Sequence, residues 1–64
     1  MRVDRKKFVI AMMDADLNTV QLAERTKLGR PTISAIKNGR SCKLETVIRI
    51  AEALGIPVEE ILEK

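Results

Sequence analysis

The sequence predicts an all-α fold, a compact bundle of five short helices, from three observations. Apolar residues recur at intervals of three and four, which is the spacing of one helix face, and no segment shows the alternation typical of a strand. Residues that start and stop helices divide the chain into short segments. The core is expected to be aliphatic, since Phe8 is the only aromatic residue among 64. A chain of this length has room for one domain, predicted to span residues 1–64.

Helix 1 is predicted from about Arg5 to Asp14, with Asp4 accepting hydrogen bonds from the free amides of the first turn. Helical spacing places four apolar residues on one face: Phe8, Ala11, Met12 and Ala15. Three more lie on the other side: Val9, Ile10 and Met13. Helix 1 is therefore more apolar than a single buried stripe requires.

Helices 2 and 3 have the clearest boundary signals. Asn18 is the predicted N-cap of helix 2, Gln21 completes a variant of the capping box, and the helix ends at about Thr26. Helix 3 is capped by Gly29 and ends at Asn38–Gly39, where the glycine supplies a left-handed residue.

Helix 4 is predicted at about Leu44 to Leu54, and Gly55 ends it. A short helix 5 is predicted at about Val58 to Leu62. The residues that recur at three and four in helix 4, and so form its apolar stripe, are Leu44, Val47, Ile48, Ala51 and Leu54.

The charge is unevenly distributed along the chain. The net charge is +3, but residues 25–43 hold six basic side chains and no acidic one. The segment before them is neutral and the segment after them carries a net −3. A basic middle of this kind indicates a face made for a polyanion, with a solvated basic surface as the alternative.

The composition argues against an enzyme, a cofactor and a metal site. No histidine is present, and Cys42, the single cysteine, has no recognisable base beside it and can form neither an intrachain disulfide nor a metal cluster. The longest apolar run, residues 8–13, is too short to cross a membrane. We therefore expect a cytoplasmic protein with no membrane partner.

Three residues, Lys27, Leu28 and Gly29, separate helices 2 and 3. That is the linker length of a helix-turn-helix, predicted here at residues 18–38. The steep crossing needs a small residue at the contact, which Ala23 supplies. The first turn and the outer face of helix 3 then project, and a helix presented in this way fits the major groove of B-DNA.

The segment LNTVQLAERTKLGRPTISAIKNGR resembles the Cro and phage-repressor type of helix-turn-helix, also called the XRE family. The matching features are Leu17, the Leu22–Ala23 pair, the PTIS segment at 31–34 and the Asn38–Gly39 pair. The later LETVIRIAEALGIPVEEIL resembles the fourth and fifth helices of that family, so the resemblance extends from about Phe8 to Leu62. It implies a lambda-repressor-like DNA-binding fold.

Two positions depart from the family pattern. Lys27 stands where the family usually has glycine, in a left-handed conformation that should cost a lysine about 1 kcal/mol. Gly29 stands where a serine or threonine cap is usual, at a cost of about a few tenths of a kcal/mol. Both changes predict a turn that is less rigid than usual.

The resemblance places the base contacts at the start and on the outer face of helix 3, at Arg30, Pro31, Ser34 and Ala35. Only Arg30 can pair with guanine through two hydrogen bonds, which is worth about 1–3 kcal/mol of discrimination; its alternative role is that of a solvated surface arginine. Pro31 and Ala35 offer apolar contacts, and Ser34 discriminates poorly between bases.

Contacts to the DNA backbone are expected from six residues: Thr19, Thr32, Lys37, Arg40, Ser41 and Lys43. Thr19 opens helix 2, whose first amides suit a phosphate. Thr32 either reaches a phosphate or stabilises the start of its helix, and for Lys37 a phosphate is favoured over a base. This set predicts strong positioning on the backbone and modest direct reading of the sequence.

The predicted function is therefore sequence-specific binding of double-stranded DNA by a small transcriptional repressor. A module this small is expected to act as a homodimer on paired half-sites. The candidate dimer residues are Val9, Ile10 and Met13 on helix 1, and Ile56, Pro57, Val58 and Leu62 near the C-terminus. The alternative is a protein-interaction module, such as an antitoxin or the accessory partner of a regulatory complex.

Overall fold

The computed structural model describes residues 1–63, and these contain four α-helices: α1 (Arg5–Asp14), α2 (Thr19–Thr26), α3 (Arg30–Lys37) and α4 (Leu44–Leu54). The all-α class and the predicted bounds of the first four helices are confirmed. None of the helices in this part of the chain has both the length and the apolarity that crossing a membrane would require.

The predicted fifth helix at residues 58–62 is not confirmed as an α-helix, because the chain makes only a single 3-10 turn at Val58–Glu60. Beyond this turn the backbone is engaged elsewhere. Ile61 accepts a hydrogen bond from the Asp4 N–H at 2.7 Å, and Leu62 forms an isolated antiparallel bridge with Val3. A backbone that pairs in this way cannot also continue a helix.

The predicted caps are present at the starts of α1 and α2. The Lys7 N–H donates to the Asp4 carboxylate at 3.0 Å. At the start of α2 the Gln21 N–H donates to the Asn18 side chain at 2.8 Å, and the Asn18 N–H donates to the Gln21 side chain at 2.9 Å. These bonds satisfy amides that have no partner within the helix.

Left-handed residues end α2 and α4. Lys27 has φ 60° at the end of α2, as the sequence predicts, and Gly55 has φ 71° after α4. The Ile56 N–H reaches back to the Ala51 carbonyl oxygen at 3.0 Å. Asp16, with φ 57°, is a further left-handed residue between α1 and α2 that the sequence analysis did not identify.

The core is aliphatic around one aromatic ring, as expected. Helix α2 packs against both α3 and α4, and α1 packs against α3. The buried apolar residues are Val3, Phe8, Ala11, Met12, Leu22, Ala23, Ile33, Ile36, Val47, Ile50, Ala51, Leu54 and Ile61.

The apolar stripe predicted for α4 is only partly the buried one. Val47, Ala51 and Leu54 are buried, but Leu44 and Ile48 are 50% and 38% exposed. Ile50, which lies outside the predicted stripe, is completely buried. Helix α4 is apolar around much of its circumference, so the packing of α2 and of the 3-10 turn decides which side is covered.

The first residues are held between two other parts of the chain. The Cys42 N–H donates to the Met1 carbonyl oxygen at 2.7 Å, and the Glu63 N–H donates to the Arg2 carbonyl oxygen at 3.0 Å. Val3 is completely buried between these contacts. The extended N-terminal segment therefore joins the loop after α3 to the C-terminal residues.

Candidate nucleic-acid interface

Helices α2 and α3 form the predicted pair with a three-residue turn. Helix α2 ends at Thr26 and α3 begins at Arg30. Gly29 is the N-cap of α3 and makes no side-chain capping bond, as its missing side chain requires. Ala23, the small residue predicted at the contact between the helices, is buried, as are Ile33 and Ile36 of α3, and Leu28 in the turn is half-buried.

Thr26 fixes the start of this turn, a role that the sequence analysis missed. Its side chain is buried, with 2% of its surface exposed. The hydroxyl donates to the Leu22 carbonyl oxygen at 2.8 Å and accepts from the Leu28 N–H at 3.3 Å. The one signal in the sequence is a small polar residue four positions after Leu22, where a hydroxyl can bond back to the preceding turn.

The outer side of α3 carries the predicted base-contacting residues in two adjacent rows. Arg30 and Ser34, four residues apart, are both exposed. Pro31 and Ala35 form the neighbouring row, in which Pro31 is exposed and Ala35 is half-buried. Residues at this spacing lie on the same side of a helix, so all four side chains belong to one continuous outer surface.

Six of the predicted contact residues line one open groove of about 510 Å³ with neighbours from α3, the loop and α4. This α3–loop groove is lined by Pro31, Thr32, Ala35, Ile36, Arg40, Ser41, Cys42, Lys43 and Thr46. One of these six, Lys43, is the N-cap of α4, so the groove also meets the N-terminus of that helix. Basic side chains and a helix N-terminus both favour an anion such as a phosphate.

Backbone hydrogen bonds hold the loop side of the groove in place. The Arg40 N–H donates to the Ala35 carbonyl oxygen at 3.0 Å, which folds the loop back onto α3. The N-terminal ammonium of Met1 donates to the Cys42 carbonyl oxygen at 3.0 Å. These two bonds hold the backbone of the loop at Arg40 and at Cys42.

The remaining predicted backbone contacts lie outside the groove. Thr19 is half-buried at the start of α2. Lys37 is half-buried and lines a different groove, between α1 and the end of α3. The structure thus brings Arg40, Ser41 and Lys43 to the same groove as Pro31, Thr32 and Ala35 of α3. Lys37, at the end of α3, lies on the side that faces α1 and not in this groove.

Cys42 and Thr46 line the α3–loop groove although the sequence analysis assigned no contact to them. Burial raises the pKa of the Cys42 thiol, against the smaller opposing effect of the N-terminal ammonium. The thiol is therefore neutral near pH 7 and adds no negative charge to the groove. Thr46 lies in the groove because of how α4 packs, and no local pattern in the sequence indicates that packing.

The family of Cro/C1-type HTH DNA-binding domains matches residues 9–63. The chain belongs to this family. The match includes both helices of the pair, the loop after α3 and all of α4. Comparison with curated proteins and with solved structures gave no match.

The family assignment confirms the resemblance stated from the sequence. In a Cro/C1-type domain, α2 and α3 form the helix-turn-helix that binds DNA. The α3–loop groove is lined by residues of α3, the second helix of that motif.

Proposed function

We propose that this Cro/C1-type domain regulates transcription by binding double-stranded DNA with α3 in the major groove. The observation that carries the proposal is the α3–loop groove, where Arg40 and Lys43 flank the exposed start of α3. An exposed helix can enter the groove of the duplex while basic side chains beside it meet the phosphates.

In this proposal the sequence of the DNA is read by few side chains. Arg30 is the one residue on the outer surface of α3 that can bind both acceptors of a guanine. Pro31 and Ala35 contact thymine methyl groups, and Ser34 accepts several bases. Thr19, Thr32, Lys37, Arg40, Ser41 and Lys43 are proposed to contact the DNA backbone.

A single copy with one strong base reader selects its site weakly. We therefore propose that the domain acts as a homodimer on two half-sites one helical turn apart. Occupying such a site blocks polymerase without any further contact, so repression is the proposed outcome.

The test is the affinity for random duplex DNA measured over a range of salt concentrations. For the double variant Arg40→Ala with Lys43→Ala, the slope of log affinity against log salt should shrink by about two units, because two phosphate contacts are lost. The matched control is Arg5→Ala with Arg49→Ala, which removes two exposed basic residues outside the groove. Equal slopes for the two double variants would contradict the assigned anchors.

The same measurement separates DNA binding from the alternative of a protein-interaction module. A module without a nucleic-acid role would bind random duplex weakly, and neither double variant would change that binding.

A further inference from the structure

Helix α1 carries an exposed row of three residues, Lys6, Ile10 and Asp14, spaced four apart on one side of the helix. Ile10 is 57% exposed at the centre of this row. Met13, next to the row, is 71% exposed, more than any other large apolar side chain in the described part of the chain. The core takes the opposite side of α1, where Phe8 and Met12 are buried.

Ile10 stands between two depressions and lines both of them. One lies between α1 and the end of α3, has a volume of about 890 Å³ and is also lined by Lys6 and Lys37. The other lies between α1 and the end of α4, has a volume of about 330 Å³ and is also lined by Lys7 and Asp14. A ridge of side chains flanked by grooves is the surface shape against which a second helix packs.

The charges along the row are opposite at its two ends. Lys6 lies four residues before Ile10 and Asp14 lies four residues after it. In an antiparallel pair of α1 helices centred on Ile10, Lys6 of each copy faces Asp14 of the other. A parallel pair would instead place each charge opposite its like.

We propose that this side of α1, the Lys6–Ile10–Asp14 row with Met13, is the surface on which a second copy of the chain packs, antiparallel about a two-fold axis through Ile10. Such an interface is self-complementary, since both copies use the same residues. The two Met13 side chains then lie on the same edge of the interface, close to the two-fold axis.

The C-terminal residues, the other surface expected from the sequence, offer less free apolar area. Ile56, Val58 and Leu62 are half-buried against the core of their own chain. The Leu62 backbone is also bridged to Val3. Of the four candidate residues there, Pro57 alone is exposed.

Pairing through α1 leaves the α3–loop groove open, although Lys37, a proposed backbone contact, lines the larger depression beside Ile10. No residue that lines the α3–loop groove lines either depression beside Ile10. The contact is small because α1 has ten residues, so the free dimer is expected to be weak. Two adjacent half-sites would strengthen it by raising the effective concentration.

The test is sedimentation equilibrium without DNA, from roughly 10 µM to 1 mM protein, the range of weak association. Lys6→Glu and Asp14→Lys each turn two attractive contacts into repulsive ones and should each raise the dissociation constant at least about tenfold. An equimolar mixture of the two variants should associate again as a heterodimer, because the new carboxylate at position 6 faces the new ammonium at position 14. A parallel pair would already hold two like-charge contacts in the wild type, so neither single variant would weaken it; only the antiparallel register predicts both the loss and the recovery.

The matched control is the pair Arg49→Glu and Glu52→Lys on α4, which changes the net charge by the same amounts at exposed positions. These variants should associate like the wild type. Circular dichroism checks that every variant is folded. A wild type that stays monomeric, or a mixture that associates no more than its components, overturns the proposal; so does a dimer that is lost with Ile48→Glu but kept with Ile10→Glu.

This inference rests on the proposed dimer, but it is tested in the absence of DNA. Its failure therefore leaves the salt-dependence test of DNA binding unaffected, and the two outcomes can be told apart.

Discussion

The side-chain oxygen of Thr26 lies 3.3 Å from the backbone nitrogen of Leu28 and accepts its hydrogen bond across the turn between α2 and α3. The same hydroxyl donates to the Leu22 carbonyl oxygen. One buried side chain thus ties the last turn of α2 to the residue that leads into α3, so the angle between the two helices depends on it.

Replacing Thr26 by valine should destabilise the domain. Thr26→Val keeps the shape of the side chain but leaves the Leu28 N–H without this partner, which should lower the free energy of unfolding by about 1–2 kcal/mol. Urea unfolding followed by circular dichroism measures the change. Thr32→Val, at an exposed position, is the control and should change stability by less than about 0.5 kcal/mol.

Replacing Lys27 by glycine should stabilise the domain. Lys27 has φ 60°, where a side chain is strained and glycine is not, so Lys27→Gly should raise the free energy of unfolding by about 1 kcal/mol. Lys27→Ala removes the charge and keeps the strain. Equal stability of the glycine and alanine variants in urea would show that backbone strain is not the cause.

The difference between Ile50 and Ile48 can be tested with one conservative change at each position. Ile50 is completely buried, so Ile50→Val should lower the free energy of unfolding by about 0.5–1.5 kcal/mol. Ile48 is 38% exposed, and Ile48→Val should have a clearly smaller effect. If the two changes cost the same in thermal or urea unfolding, the packing described for α4 is incorrect.

The Arg30→Ala variant should lose selectivity before it loses affinity. Selection from random duplexes with the wild type should yield a guanine at the position that Arg30 reads. In the variant, the free energy that discriminates guanine from the other bases at this position should fall by about 1–3 kcal/mol. Preferences at the other positions should remain. If the variant selects the same sequences as the wild type, Arg30 is a surface arginine and not a base reader.

Cys42 should react slowly with alkylating reagents in the folded protein. Burial raises the pKa of its thiol, and only the thiolate is a nucleophile. The pH midpoint of the iodoacetamide reaction should therefore lie higher in buffer than in concentrated urea. The raised pKa also makes the stability of the fold depend on pH. The neutral Cys42 thiol contributes to the stability of the folded state below its unfolded pKa, and this contribution is lost as the pH rises through its folded pKa. The same midpoint in both solvents would contradict the burial described for this side chain.

Local signals in the sequence were enough for most of the helix boundaries. Asn18 with Gln21, and Gly39 and Gly55, mark helix ends through bonds and dihedral angles set by near neighbours, and the structure confirms them. The family pattern extended this to the helix-turn-helix. The predicted fifth helix is only a 3-10 turn, because Ile61 and Leu62 pair with the start of the chain, a contact with no local signature.

In the candidate site, too, the sequence predicted what short segments decide and missed what the packing of the helices decides. The basic loop and the outer surface of α3 were predicted, because charge and helical spacing are properties of short segments. That Thr46 joins the groove, and that Lys37 lies on the α1 side, depends on how the helices pack.

The sequence alone therefore determined the four helices, the three-residue turn and the basic segment, because capping bonds, backbone dihedral angles and charge act over a few residues. Only the tertiary structure decided that Ile50 and not Ile48 is buried on α4, and that Ile10 and Met13 stay exposed on α1. An apolar helix face can be buried only where another part of the chain reaches it, and which face is reached depends on contacts between residues far apart in the sequence.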